Sequence, residues 1–119
     1  MLKIRQEQLA ALGANVEKKF KRQMCEQLRT EHTRETAAFD EKQLAEFVDQ
    51  GVAKAKQYGI DVKRDVADYL MILLRNGVNF EKQPANEWAL EILDDPDMHG
   101  GTKILQLETQ FETQESQRG

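Results

Sequence analysis

The chain contains few of the side chains that carry out covalent chemistry. Its 119 residues include one cysteine, Cys25, and no serine before Ser116. A single cysteine cannot form an internal disulfide, which fits a reducing cytoplasm. The Gly-x-Ser-x-Gly sequence that presents the nucleophile of many hydrolases is missing, so a serine hydrolase is excluded. Because Cys25 lies one position from an apolar helix stripe, we expect it to be a small, partly buried side chain rather than a nucleophile.

Long apolar runs are also missing. The longest extends from Tyr69 to Leu74, far short of the roughly 20 residues that a membrane-spanning helix needs. The opening residues 1–7 contain no apolar segment and include an early glutamate, so we expect no signal peptide. These features predict a cytoplasmic protein that does not enter a membrane.

The histidines and aspartates do not form a recognisable metal-binding pattern. His32 and His99 are far apart in the sequence. The acids beside His99, which are Asp94, Asp95 and Asp97, lack the ligand positions and the closing glutamate of a calcium loop. A helix end followed by a solvated acidic turn is therefore the favoured interpretation of that cluster.

Phosphate chemistry has an equally weak signal. Residues 100–103, Gly-Gly-Thr-Lys, have the residue types of a phosphate loop but neither its spacing nor a preceding strand. An acid/base pair of carboxylates stays open, because any two acids can meet in space, yet no pair stands out. We therefore predict a protein that is not an enzyme and holds no cofactor or metal.

What the chain does contain is apolar residues at helical spacing. Leu12, Val16, Phe20, Met24 and Leu28 recur at every fourth position, and later stripes are separated by glycine or aspartate. This periodicity predicts an all-α fold, a compact bundle of about five helices with a long N-terminal helix. Residues 1–111 should form a single domain, and the polar residues 112–119 should be a frayed tail.

Capping signals give the expected helix boundaries. The first helix should extend from Ile4 to His32 with Gly13 inside it, and residues 30–36 should form a connection or a frayed end. The second helix should be capped by Asp40 with Gln43, continue to Tyr58 and be stopped by Gly59 and Ile60. The third should extend from Val62 to Asn76, capped by Asp61 and stopped by Gly77. The fourth should begin at Pro84 and end at the acids before Pro96, and a last helix should be capped by Thr102.

The expected core consists of the apolar face of each helix. Small residues, Gly51 and Ala55, should let another helix approach the second one closely, although Gly51 could equally be incidental. Trp88 should anchor the fourth helix to the core, with an exposed binding hot spot as the alternative. The inward residues are Leu9, Leu12, Val16, Phe20, Met24, Leu28, Leu44, Phe47, Val48, Val52, Ala55, Tyr58, Val62, Val66, Tyr69, Leu70, Leu73, Leu74, Val78, Phe80, Trp88, Ala89, Ile92, Leu93, Ile104, Leu107 and Phe111.

Charge is distributed unevenly along the chain. Residues 1–60 hold eleven basic and nine acidic side chains, and residues 61–119 hold six and twelve, for a total of −4. One interpretation is ordinary solvated helix faces. The other is two surfaces of opposite sign, one of which docks a partner protein. The candidate partner-binding residues are the basic Lys18, Lys19, Lys21 and Arg22 and the acidic Asp94, Asp95 and Asp97.

Nucleic acid is the alternative partner. The run from Lys18 to Arg22 is locally basic, and small helical domains often bind DNA, so a helical nucleic-acid-binding regulator is the second hypothesis. The overall acidity of the chain disfavours it. Self-association through the long first helix also stays open.

Several segments resemble a group of small all-helical bacterial proteins encoded near type VI secretion spike, PAAR and toxic-effector genes. The segments are residues 1–8, residues 51–60, Arg64-Asp65-Val66 with Tyr69-Leu70, Phe80, Trp88-Ala89, Ile92-Leu93 and Gly101-x-Lys103. The resemblance extends to about Leu107. It implies an adaptor, chaperone or immunity protein whose partner is a secreted effector or a spike component, and it implies no catalytic residues.

Overall fold

The computed structural model describes the backbone of residues 13–118 and the side chains of residues 13–115. This part of the chain is all-α, as predicted, and contains no strand. The helices are α1 (Ala14–Glu31), the single turn α2 (Thr33–Thr36), α3 (Glu41–Gln57), α4 (Lys63–Asn76), α5 (Glu87–Leu93) and α6 (Gly100–Arg118). Two 3-10 turns, Phe80–Lys82 and Pro84–Asn86, lead into α5.

The helices pack in a row, with α4 near the middle. α3 lies between α1 and α4, and α4 in turn packs against α6. α5 packs against α6 and against the 3-10 turn Phe80–Lys82. The basic helix α1 therefore lies at the opposite end of the row from α6. Within residues 13–118, no helix combines the length and the apolar character needed to cross a membrane.

The core is formed by the predicted apolar faces. Leu28, Val48, Val66, Leu70 and Leu107 are among the side chains with no solvent exposure. Val16, Leu74, Val78, Trp88, Ile92 and Phe111 were expected inside and are only partly buried. Leu9 and Leu12 lie outside the described residues.

The contact between α3 and α4 is unusually close. A Cβ atom added to Gly51 would lie 2.2 Å from Cδ2 of Leu70 and 3.2 Å from Cδ1 of Leu73. Gly51 is buried, so these leucines occupy the space that a larger residue would need. This confirms the prediction that a small residue on this face admits a neighbouring helix.

Both ends of α3 have the predicted caps. Gln43 donates its backbone N–H to the Asp40 carboxylate (2.7 Å), and Asp40 donates its own N–H to the Gln43 side chain (3.0 Å). At the other end Gly59 has φ 77°, and Ile60 donates its N–H to the carbonyl of Ala55 (2.8 Å). These bonds satisfy orphan backbone groups at both termini.

Two predicted helix caps were wrong, and so was the placement of Gly13 inside the first helix. Gly13 does not lie inside a helix, because its φ of 92° places it just before α1, and residues 1–12 lie outside the described part. α4 begins after Val62, so Asp61 does not cap it. α6 already begins at Gly100, which puts Thr102 in its first turn instead of at its cap. Gly100 and Gly101, which precede the predicted cap, are therefore helical.

The segment after α1 is ordered by side-chain bonds that the sequence pattern does not reveal. The Arg29 guanidinium donates to the carbonyls of Thr36 (2.7 Å) and Phe39 (2.9 Å). Thr36 is fully buried and donates its hydroxyl to the His32 carbonyl (2.9 Å). Residues 30–36 are consequently an ordered connection, made of the end of α1 and the single turn α2, and not a frayed end.

The C-terminal helix is longer than predicted. α6 continues to Arg118, past Phe111, where we expected regular structure to stop. The residues beyond Phe111 are polar, so the apolar stripe used for the prediction ends before the helix does. That these residues fray stays a prediction.

Candidate functional site

Three cations form an exposed basic face on α1. Lys18, Lys19 and Arg22 are all solvent-exposed. Their spacing places each lysine within one helical turn of Arg22, so the charges share one side of the helix. We call this set of residues the basic face.

Lys21 belongs to the same basic segment of the sequence, but its charge is paired with carboxylates of this protein. Its ammonium pairs with Glu17 (3.2 Å) and with Asp49 of α3 (3.0 Å), and Glu17 also pairs with Lys56 of α3. Burial lowers the pKa of Lys21, but its bonds to Asp49 and Glu17 outweigh burial and hold the pKa above its usual value. The network joins α1 to α3, so Lys21 is less available to a partner than Lys18, Lys19 or Arg22.

A groove of about 740 Å³ lies between α1 and α3 beside the basic face. Its lining includes Cys25, Ala45 and Lys56. Burial raises the pKa of the Cys25 thiol, and the charge of Asp49 raises it further. A thiol held in its protonated form is a poor nucleophile, which fits the expected packing role of Cys25.

The acidic candidate residues lie between α5 and α6. Asp94 and Asp97 are exposed, whereas Asp95 is half-buried and accepts a hydrogen bond from the Asp97 backbone N–H (2.9 Å). Among the described residues, no group of three or more His, Cys, Asp or Glu side chains is arranged to hold a metal ion. The basic candidate residues lie on α1, whereas the acidic ones lie in the connection between α5 and α6.

An open cleft of about 550 Å³ lies next to these acids. The α3–α4 connection and the start of α4 form one wall, and the α5–α6 connection forms the other. We call it the acidic cleft, after three carboxylates in its lining. Its lining includes Asp61, Asp65, Asp94, Pro96, Met98, His99, Gly100 and Lys103.

Lys103 at the floor of the acidic cleft is only 5% exposed. Its ammonium donates to the carbonyls of Tyr58 (2.8 Å) and Leu93 (2.6 Å). These carbonyls end α3 and α5, so one cation satisfies orphan acceptors of two helices and faces the negative end of each helix dipole. Lys103 is a structural residue here and not the lysine of a phosphate loop.

A second buried charge, Glu81, was not predicted. It is 1% exposed, pairs with Lys54 (2.6 Å) and accepts a hydrogen bond from the Tyr58 hydroxyl (3.0 Å). Desolvation raises the pKa of Glu81, but hydrogen bonds from Lys54, a backbone amide and Tyr58 outweigh it and lower the pKa overall. Burial, and secondarily the charge of Glu81, raises the pKa of the buried Tyr69 hydroxyl. The bonds of Glu81 to Lys54 and Tyr58 hold the 3-10 turn Phe80–Lys82 against α3.

Trp88 packs as the sequence suggested. Its ring meets Phe111 of α6 edge-on, with centroids 5.1 Å apart, and Phe111 also contacts Phe80 at 5.6 Å. The three rings join α5, α6 and the 3-10 turn. Trp88 therefore serves the core and not a surface site.

Sequence reasoning missed Asp65 and Lys103, although a signal was present. Asp65 lies within the apolar stripe of α4, between Val62 and Val66, and Lys103 directly precedes the stripe that begins at Ile104. A charge within a buried stripe indicates a partner or a special environment. Glu81 carries no such signal, because it lies in a short turn without periodicity.

Comparisons with known proteins add no relative to these observations. No protein-family model, no curated protein and no solved structure matches the chain. What the geometry defines is a small all-helical protein with a basic face on α1 and an acidic cleft beside α5 and α6.

Proposed function

We propose that this protein is a non-enzymatic accessory factor that binds another protein through the basic face of α1. The single observation behind this proposal is that Lys18, Lys19 and Arg22 are exposed together, while Lys21 and Lys56 are paired with Glu17 or Asp49. A cluster of exposed like charges steers a partner of opposite charge and sets its orientation. The partner should therefore present an acidic surface.

The groove between α1 and α3 extends this surface. Its lining combines apolar atoms of Cys25 and Ala45 with the stems of Lys18 and Arg22. Protein interfaces typically combine an apolar centre with a charged rim. A helix or loop of the partner would fill the groove while its acids pair with the basic face.

The second candidate, nucleic-acid binding, uses the same residues. Phosphate-driven binding gains affinity with each phosphate that is neutralised. The pairing of Lys21 with Glu17 and Asp49 removes one cation from the basic run and places two carboxylates beside it. This favours a protein partner over a duplex.

The resemblance to proteins encoded near type VI secretion genes suggests what the partner is. It supports a secreted effector or a spike component as the ligand, with this protein acting as adaptor, chaperone or immunity factor. Deleting the gene separates these roles. An adaptor or chaperone is needed for delivery of the effector, whereas loss of an immunity protein poisons the producing cell.

The proposal is tested by exchanging charge on the basic face. The variant K18E/K19E/R22E is compared with R34E/K42E/K82E, which makes the same change at three exposed cations elsewhere. Each tagged protein is co-expressed with the products of the neighbouring genes and purified. We expect wild type and the control to retain a stoichiometric protein partner and the first variant to lose it.

Two outcomes would contradict the proposal. Retention of the partner by K18E/K19E/R22E would move the interface away from α1. A mobility shift of duplex DNA or RNA that appears at low salt, falls steeply as salt is added and is lost in the same variant would support the nucleic-acid hypothesis instead.

A further inference from the structure

The acidic cleft contains a buried carboxylate that lacks a hydrogen-bond donor. The side chain of Asp65 is 9% exposed and lines the cleft. Within the described residues its carboxylate accepts no hydrogen bond. The nearest cationic atom in the same part of the chain is Nε of Arg64, 3.9 Å from Oδ1, on a side chain that is 72% exposed.

Backbone packing holds this carboxylate in place. A Cβ atom added to Gly101 would lie 3.2 Å from Oδ2 of Asp65, and one added to Gly100 would lie 2.8 Å from the Gly59 carbonyl oxygen. The start of α6 is thus pressed against Asp65 and against the α3–α4 connection. The carboxylate cannot easily turn away from the cleft.

The oxygens of Asp65 are not sealed from solvent but open onto the cleft, where a ligand can reach them. Asp65 lies in the first turn of α4 and beside the first turn of α6. These two helix N-termini favour its negative charge. They leave its lone pairs without a close donor, so a ligand that brings N–H groups would gain both charge pairing and hydrogen bonds.

Lys103 does not meet this need. Its ammonium is already bonded to the carbonyls of Tyr58 and Leu93. The remaining charged groups in the lining are the carboxylates of Asp61 and Asp94 at the rim, with the His99 imidazole beside them. The cleft therefore has an excess of negative charge facing its opening.

We propose that the acidic cleft binds a guanidinium group, with Asp65 as its principal acceptor and Asp61 and Asp94 at the rim. A guanidinium presents parallel N–H donors that match the two oxygens of a carboxylate. Pro96 and Met98 provide apolar lining for the alkyl stem of such a ligand. The cleft volume of about 550 Å³ accommodates a whole arginine side chain. This site lies on other elements than the basic face and does not depend on the function proposed for α1.

The proposal is tested by titrating the ¹⁵N-labelled protein with a guanidinium compound and recording ¹H–¹⁵N correlation spectra. The probe is N-butylguanidinium, and N-butylurea serves as a neutral ligand of the same shape. We expect saturable shifts at the amides of Asp65, His99, Gly100 and Gly101 with the cation only. Equal shifts with the urea, or no shifts at these amides, would overturn the proposal.

Substitutions show whether binding depends on the carboxylates of the cleft or on any negative charge at the surface. We expect D65N to weaken binding of N-butylguanidinium by at least tenfold and D94N to weaken it severalfold. D97N, which removes an exposed acid outside the cleft lining, should bind as wild type. Asp94 is exposed, so D94N remains informative if D65N fails to fold. Unchanged binding in D94N and D65N, or equal loss in D97N, would contradict the assignment.

The source of the guanidinium is distinguished by two further probes. A short peptide with one central arginine that binds more tightly than N-butylguanidinium would indicate a side chain of a partner protein. Tighter binding of free L-arginine than of the peptide would indicate a small metabolite. Both results support the same chemistry at Asp65.

Discussion

The α3–α4 contact and the acidic cleft each contain a closely packed glycine, Gly51 and Gly100, but Gly51 is packed against side chains and Gly100 against backbone. The space beside Gly51 is filled by the leucine side chains of α4. Gly100 instead faces backbone, because a Cβ atom there would lie 2.8 Å from the Gly59 carbonyl oxygen. Side chains can adjust by a few tenths of an ångström, whereas a backbone fixed by a helix cap cannot adjust as cheaply. The first contact therefore tolerates repacking and the second depends on exact placement.

The two regions also differ in what stabilises them. At the α3–α4 contact, apolar area is removed from water by many side chains that include Val48, Val52, Val66 and Leu70. At the cleft, the essential contacts are a few directed bonds, above all those of Lys103. When apolar contact is lost, the cost in stability rises with the volume of the cavity left behind. When a buried hydrogen bond is lost, specific polar atoms are left without a partner.

The largest effect is expected from L70A. Leu70 is fully buried against Gly51, so removing its side chain loses apolar burial and leaves a cavity. The free energy of unfolding should fall by about 2–5 kcal/mol. Urea denaturation followed by circular dichroism measures this, and a change below about 0.5 kcal/mol would mean that α4 is not packed as described.

A double substitution sharpens the same result. G51A alone should cost about 1–3 kcal/mol, because its Cβ would overlap Leu70. In G51A/L70A the new methyl group enters the space left by the leucine, so the combined cost should be smaller than the sum of the single costs. Simple additivity would show that the two residues do not share this space.

K103M should have the next largest effect. Methionine keeps most of the apolar stem but removes the donors to the Tyr58 and Leu93 carbonyls. Two buried acceptors lose their partner, which should lower the free energy of unfolding by about 2–4 kcal/mol. K82M, at an exposed lysine, is the matched control and should change stability by less than about 0.5 kcal/mol. If K103M were as stable as K82M, water would have to reach both carbonyls.

The same contrast explains how far the sequence could be interpreted. The boundaries and inward faces of α3 and α4 follow from local signals, since Asp40, Gly59 and Gly77 act within a few residues of where they stand. Asp61 and Thr102 are equally good capping residues by composition. They do not cap because α4 begins after Val62, and α6 begins at Gly100 where it meets the Gly59 backbone.

The cleft could not be assembled from the sequence, because its parts are distant along the chain. Lys103 bonds to a carbonyl 45 residues away, and Asp65 of α4 lies beside Gly101 of α6. Periodicity reports which face of a helix is apolar but not which helix ends converge. The basic face was predictable because adjacent residues on one helix make it, although the pairing of Lys21 with Asp49 was not.

The smallest effect is expected on the α6 side of α4, where carboxylates lie close together. Burial raises the pKa of Glu108, and the charges of Asp68 and Glu112 raise it further against the opposing effect of Arg75. Ionised Glu108 therefore destabilises the folded state at neutral pH, and protonation removes that cost as the pH falls. E108Q should raise the free energy of unfolding by a few tenths of a kcal/mol at about pH 7.

The pH dependence decides whether charge is the cause. The advantage of E108Q over wild type should be complete well above the raised pKa of Glu108 and should vanish at about pH 3, where the carboxyl is protonated in both folded and unfolded chains. E91Q, at an exposed glutamate of α5, should show no comparable advantage. A gain for E108Q that persists unchanged at low pH would assign the effect to packing or helix propensity, and the carboxylates of α4 and α6 would then not be in electrostatic conflict.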